Sequence, residues 1–140
     1  MNRNILILFA LSLFVPMHAG VAAEEGATAP AIKKLSIRPA KPAFGAWNAP
    51  AEIRSAEDAA KLFEGDALAK LSEEVDFDKQ IVLVFAWRGS GQDKLDYVVM
   101  ESFPEQIAFS RQPGRTRDLR PHVHVFALRS NVKWRAGGKR

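Results

Sequence analysis

The sequence predicts an α+β fold with one or two short N-terminal helices packed on one face of a four- to five-stranded, mainly antiparallel sheet. Three observations predict it. The stretch from Ser55 to Ser72 has helix caps and apolar residues at helical spacing. Ile81 to Trp87 is an unbroken apolar run rich in β-branched and aromatic side chains. Three more segments of strand character follow on short links, with no helical pattern between them. A parallel sheet needs long crossovers, so strands joined by short turns argue antiparallel pairing with the helices covering one face.

In chain order, Asn2-Arg3-Asn4 is a short positive lead, Ile5 to Val15 is apolar apart from Ser12, and Val21-Ala22-Ala23 offers small residues for cleavage. That is the pattern of a secretory signal peptide, expected over residues 1–23. An apolar run of this length, at about 1.5 Å per helical residue, reaches roughly half of a hydrocarbon core about 30 Å thick, so no membrane span is expected after cleavage. Removing these residues takes away only Arg3 and leaves 19 basic against 16 acidic side chains. The expected location is periplasmic or extracellular, and the expected state is a monomer. The chain has no Cys, which excludes a disulfide framework, a thiol nucleophile, a thiolate metal site and a lipid-modified Cys.

Residues 24–52 are rich in Ala, Pro and Lys, and Pro30, Pro39, Pro42 and Pro50 interrupt any long helix or central strand. They read as a linker, with a short edge strand over Lys34 to Arg38 and with Phe44 and Trp47 docking on the domain. A single domain is expected over 53–135, followed by a disordered tail over 136–140. Ser55 is the expected N-cap of a helix over Ala56 to Glu64, with Asp58 three residues on and Ala59, Leu62 and Phe63 forming the buried stripe. Gly65 is expected to stop that helix, and Asp66 to cap a second one over Ala67 to Ser72 with Leu68 and Leu71 inward. Glu73, Glu74, Asp76 and Asp78 then make an acidic link.

Ile81 to Trp87 reads as a central strand buried on both faces. Gly89 to Asp93 reads as a flexible connection, and Leu95 to Ser102 as the partner in a hairpin with the central strand. Gln106 to Arg111 alternates as a half-exposed strand and Gln112-Pro113-Gly114 is a turn. His122 to Leu128 is the last clear strand, with Val132 to Trp134 as a closing edge.

Two groups of side chains carry potential chemistry. Arg111, Arg115, Arg117 and Arg120 crowd a segment whose one acid is Asp118. Residues 81–140 hold 11 basic and 5 acidic side chains, against 8 and 11 over 24–80, so the charge is polarised. Guanidinium forks suit carboxylate and phosphate oxygens, which makes this segment a candidate contact surface for an acidic protein or an anionic envelope component. Nucleic acid is not expected as a partner of an exported protein. His122 and His124 project from one face of a strand and could supply two metal ligands, but His18 leaves with the signal peptide and further ligands would have to be carboxylates. Phe126 and Leu128 continue that face, which is expected to turn towards the helices with the histidines at its wetter end.

Other motifs fall away. Arg88-Gly89-Ser90-Gly91 joins two strands and lacks the helix start and the Gly-Lys-Ser/Thr ending of a phosphate loop. Ser90, Ser102, Ser110 and Ser130 have no nucleophile-elbow context, and the acids of the link are sequential and solvated. No enzymatic activity and no cofactor are expected.

The order helix, acidic link, Val75-Asp76-Phe77-Asp78-Lys79, apolar strand and glycine turn resembles the C-terminal domain of the bacterial PrcB-like family, named for a subunit of a surface protease complex. The likeness spans about Ile53 to Trp134, and its most specific element is Asp76-Phe77-Asp78-Lys79-Gln80-Ile81. In place of the family's Thr-Gly-Gly-Tyr turn this chain has Gly89-Ser90-Gly91, with Tyr97 further on. The resemblance implies a non-catalytic exported module that helps to stabilise or assemble another protein. The resulting expectation is a binding or protein-stabilising module that meets its partner through the arginine-rich segment, the alternative being a metal-binding protein that uses His122 and His124.

Overall fold

A computed structural model describes residues 29–137; the expected signal peptide, the first residues of the expected linker and the last three residues lie outside them. The elements are β1 (Ile32–Leu35), β2 (Ala51–Ile53), α1 (Ala56–Leu62), α2 (Gly65–Glu74), β3 (Gln80–Gly89), β4 (Lys94–Met100), β5 (Gln106–Gln112), β6 (Arg120–Arg129) and β7 (Lys133–Ala136). The strands form two sheets, one ordered β1-β6-β3-β2 and the other β4-β5-β7. The predicted single sheet under helices is therefore corrected. The described residues form a predominantly β fold of seven strands in two sheets, with two short helices as a third layer.

The physical reason lies in β3. It is buried on both faces, as its composition requires. Val82 and Val84 face the helices and pack with Ala59, Phe63, Leu71, Val125 and Ala127. Ile81, Leu83, Phe85 and Trp87 face the other way, and two seven- and ten-residue helices on one side leave that face uncovered. The β4-β5-β7 sheet covers it with Ile107 and Phe109. Phe85 and Phe126 of the first sheet and Phe109 of the second form an aromatic cluster, with ring centroids 4.6 to 5.9 Å apart. Fully burying each such side chain contributes about 1.5–3 kcal/mol, so this second core matters as much as the one under the helices.

Pairing also departs from expectation. β3 pairs antiparallel with β2 and with β6, and β4 pairs with β5, so β3 and β4 lie in different sheets and form no hairpin. β7 joins β5 in parallel. The proline-rich segment read as a linker supplies β1, which pairs with β6 from Ile32↔Leu128 to Leu35↔Val125 and buries Ile32, Leu35 and Ile37. At the other end Ala136 closes β7, and the Gly137 N–H donates to the Phe109 carbonyl at 3.1 Å, where a disordered tail was expected.

The helices start and pack as their stripes dictate. The Ser55 hydroxyl accepts the Asp58 N–H at 3.1 Å, while the Asp58 carboxylate turns to Lys61 rather than back to the cap. Ala59, Phe63 and Leu71 are fully buried. Gly65 has φ +55°, a conformation favoured by glycine, but it opens α2 from a Glu64 N-cap; the expected Asp66 cap is not formed. Among the described residues no helix is long and apolar enough to cross a membrane.

Candidate functional site

The chain crosses between the two sheets at one end of the sandwich twice, from β3 to β4 through residues 90–93 and from β5 to β6 through residues 113–119. The second crossing is the arginine-rich segment, and the first is the turn read as flexible. The structure lays them side by side and ties them together.

Asp93 is the centre of the tie. It is 8% exposed, and its carboxylate accepts the Trp87 indole N–H at 3.0 Å, an Arg111 guanidinium N–H at 3.2 Å and the Gly114 N–H at 2.7 Å. Burial pushes this carboxyl up, but the Gly114 N–H, the Trp87 indole and the Arg111 charge outweigh burial and hold it below the usual carboxylate range. Ser90 makes a second tie, since its hydroxyl lies 2.6 Å from the Thr116 hydroxyl and accepts the Thr116 N–H at 3.2 Å. A third comes from Asp118, which accepts the Gly91 N–H at 3.1 Å and the Arg120 Nε–H at 2.5 Å. The Thr116 hydroxyl, the Gly91 N–H and Arg120 hold the Asp118 carboxyl well below its ordinary range.

Gly114 is at this position because nothing larger fits. A Cβ there would meet the Ser90 hydroxyl and lie 2.6 Å from Gln92 Cβ and 2.7 Å from the Gln92 carbonyl carbon. Gly114→Ala is expected to push the loop off the turn and to cost about 1–3 kcal/mol, the usual range for overpacking. Urea unfolding gives the cost, and faster exchange of the Thr116 amide shows where it falls.

The four arginines have different surroundings. Arg111 turns inward to Asp93 and lies over the Trp47 ring at 5.9 Å, and Arg120 pairs with Asp118. Arg115 and Arg117 are exposed and have no ion pair among the described residues. Beside them a cleft of about 430 Å³ is lined by Gln92, Lys94, Gln112, Pro113, Gly114 and Arg115. Lys94 and Gln92 escaped the sequence reading, because only the closeness of the two crossings brings them to the arginines. Asp93 escaped it too; the one signal available was an acid at the end of a glycine-rich turn that follows a buried Trp.

The histidines face the second sheet, not the helices as expected, because they share the side of β6 that carries Phe126 and Leu128. Both are half-buried, at the wetter end of that side. His122 stacks on Trp87 at 4.8 Å and 12°, His124 at 5.4 Å and 22°, and the His122 Nε2–H donates to the Ser90 carbonyl at 2.7 Å. Burial, then Lys34 and His122, push the His124 imidazole below its ordinary range. Among the described residues no cluster of three or more His, Cys, Asp or Glu side chains is placed to hold a metal ion. In this arrangement the imidazoles pack against Trp87 and orient its indole towards Asp93.

Comparison of the chain with protein-family models, with curated proteins and with solved structures finds no match.

Proposed function

We propose that the chain is an exported, non-catalytic binding module whose contact surface is the loop of residues 113–119, and that its partner is an acidic surface of another exported protein. The observation that carries this reading is the bracing of that loop. Backbone N–H groups of Gly114 and Thr116 are bonded to side chains of the β3–β4 turn, while Arg115 and Arg117 stand exposed with no acid paired to them among the described residues. A braced loop loses little conformational freedom on binding, and unpaired guanidinium forks favour carboxylates. The excess of basic residues over 81–140 adds a long-range attraction. The PrcB-like resemblance supports the same role, a module that stabilises or assembles another protein.

Replacing Arg115 and Arg117 together by Glu is expected to lower the salt concentration at which the protein elutes from an anionic matrix, with no change in thermal stability, because exposed side chains contribute little to it. Unchanged elution would remove the loop as the contact surface. Retention on an anionic polysaccharide with none on immobilised acidic proteins would replace the protein partner with an envelope polymer.

A further inference from the structure

β7 is shorter than the strand it joins. Its pairing with β5 runs from Gln106↔Lys133 to Phe109↔Ala136 and ends there. From Ser110 to Gln112 the side of β5 away from β4 has no strand beside it among the described residues. The Phe109 carbonyl points to that side, where it accepts the Gly137 N–H at 3.1 Å. Two residues on, backbone alternation turns the N–H and C=O of Arg111 the same way, towards an open edge.

At that edge lies a groove of about 550 Å³, within the range of about 300–1,000 Å³ typical of ligand sites. Small side chains, Ala108 and Ser110, keep its floor low between Val98 and Met100 on one side and Trp47 on the other. Val98 is 61% exposed although it sits in the middle of a strand. Arg135 stands on the groove wall, and Lys94 lines the adjoining cleft, which shares Gln112 and Pro113 with the groove. Neither cation has an ion pair among the described residues, and Asp96 on the same face accepts the Gln112 side-chain N–H at 2.6 Å. Among the described residues the site therefore combines a strand edge without a partner, an apolar floor and positive charge without an ion pair.

We propose that this groove takes an extended acidic segment of a partner polypeptide, added as a strand along Ser110–Gln112. Main-chain hydrogen bonds to Arg111 hold the guest. Its alternate apolar side chains lie across Ala108 and Ser110 towards Val98, and its carboxylates meet Arg135 and Lys94. Strand addition of this kind draws affinity from the backbone and selectivity from what alternate side chains meet. The inference rests on the reading of the chain as a binding module but uses residues outside the 113–119 loop, so the two fail separately.

The test uses the mature protein and two fluorescein-labelled octapeptides, Glu-Leu repeated four times and Lys-Leu repeated four times, with binding read by anisotropy at low salt. The acidic peptide is expected to bind about tenfold or more tightly than the basic one, to slow hydrogen exchange at the Arg111 amide, and to lose about tenfold in affinity in Arg135→Glu. Arg135 is exposed, so that variant is expected to fold, and Ala108→Phe, which fills the floor without adding charge, serves as a second block. Equal binding of both peptides would overturn the proposal. So would unchanged affinity in both variants, or capture of anionic vesicles through Arg135 without peptide binding. Self-association that Arg135→Glu abolishes, with no peptide binding, would overturn it in favour of a second copy of the chain. Peptide binding lost while Arg115 and Arg117 still govern retention on an anionic matrix would sink the groove and leave the loop.

Discussion

Truncating Phe85 to alanine is expected to cost about 3–5 kcal/mol of unfolding free energy, the range for removing a buried aromatic ring. Phe85 is fully buried between the sheets, with its centroid 4.6 Å from Phe109 and 5.9 Å from Phe126. Against a total stability of about 5–15 kcal/mol for a domain of this kind, that loss leaves a marginal fold. Urea denaturation checks it, with the midpoint falling and the slope held if unfolding stays two-state. The size of the effect separates two architectures. In a single sheet covered on one side, Phe85 would lie on the solvent face and its truncation would cost well under about 1 kcal/mol, as most surface substitutions do. A small loss would therefore contradict the second sheet.

Replacing Asp93 by Asn is expected to cost about 3 kcal/mol, because a charge-assisted acceptor disappears and at least one buried donor is left without a partner. Among the described residues the indole N–H of Trp87 and the N–H of Gly114 have no other acceptor, and an amide nitrogen cannot replace a carboxylate oxygen for either. The same carboxyl gives the protein an acid-sensitive term. Its folded value is depressed, so its contribution is fully present above the unfolded value of about 3.9 and is lost as the pH falls from there through the folded value. His124, also depressed, acts earlier: below about pH 6.5 the unfolded chain takes up a proton that the folded chain refuses, and stability begins to fall. Measured against pH, the loss of stability should therefore show a shallow limb starting near pH 6.5 and a steeper one below about pH 4, and Asp93→Asn should reduce the steeper limb, to which the depressed carboxyls of Asp58 and Asp118 also contribute, and leave the shallow one in place. An undiminished steeper limb in the variant would place the acid-sensitive group elsewhere.

Both predictions concern parts of the molecule that the sequence shows unequally. The burial of Ile81 to Trp87 was legible because a run with no polar residue has no wet face to present. β5 was legible from its alternation, β6 as the last clear strand, and α1 from Ser55 and the Ala59, Leu62, Phe63 stripe. Alternation says that one face of a strand is covered but not by what. Leu95, Tyr97 and Val99 fit equally well beside β3 or across from it, and the reading as a hairpin chose the wrong one. The clue was in β3 itself, since a strand apolar on both faces needs two covers and the helices supply one. β1 was read as a short edge strand over Lys34 to Arg38 and lies slightly earlier, at Ile32–Leu35, where no proline interrupts the backbone and it is free to pair.

The candidate surface was half legible. The density of arginines pointed to the loop of residues 113–119, yet Arg111 and Arg120 are engaged by Asp93 and Asp118, which leaves Arg115 and Arg117 outward. What fixes that choice is the contact between residues 90–93 and 113–118, more than 20 positions apart in sequence, and no local pattern encodes it. The histidine pair was read correctly as sharing one side of a strand, but that side looks towards Trp87 and the second sheet.

The account stands on a loop held ready before any partner arrives. Native-state hydrogen exchange at the amides of Gly91, Gly114 and Thr116 measures this directly, because each is bonded to a side chain of the opposite crossing. The expected result is exchange at least about tenfold slower than in an unstructured peptide, an opening cost of about 1.4 kcal/mol or more, with the Gly114 protection lost in Asp93→Asn while the amides of β3 stay protected. Exchange of these three amides at the free-peptide rate in the unsubstituted protein would contradict it.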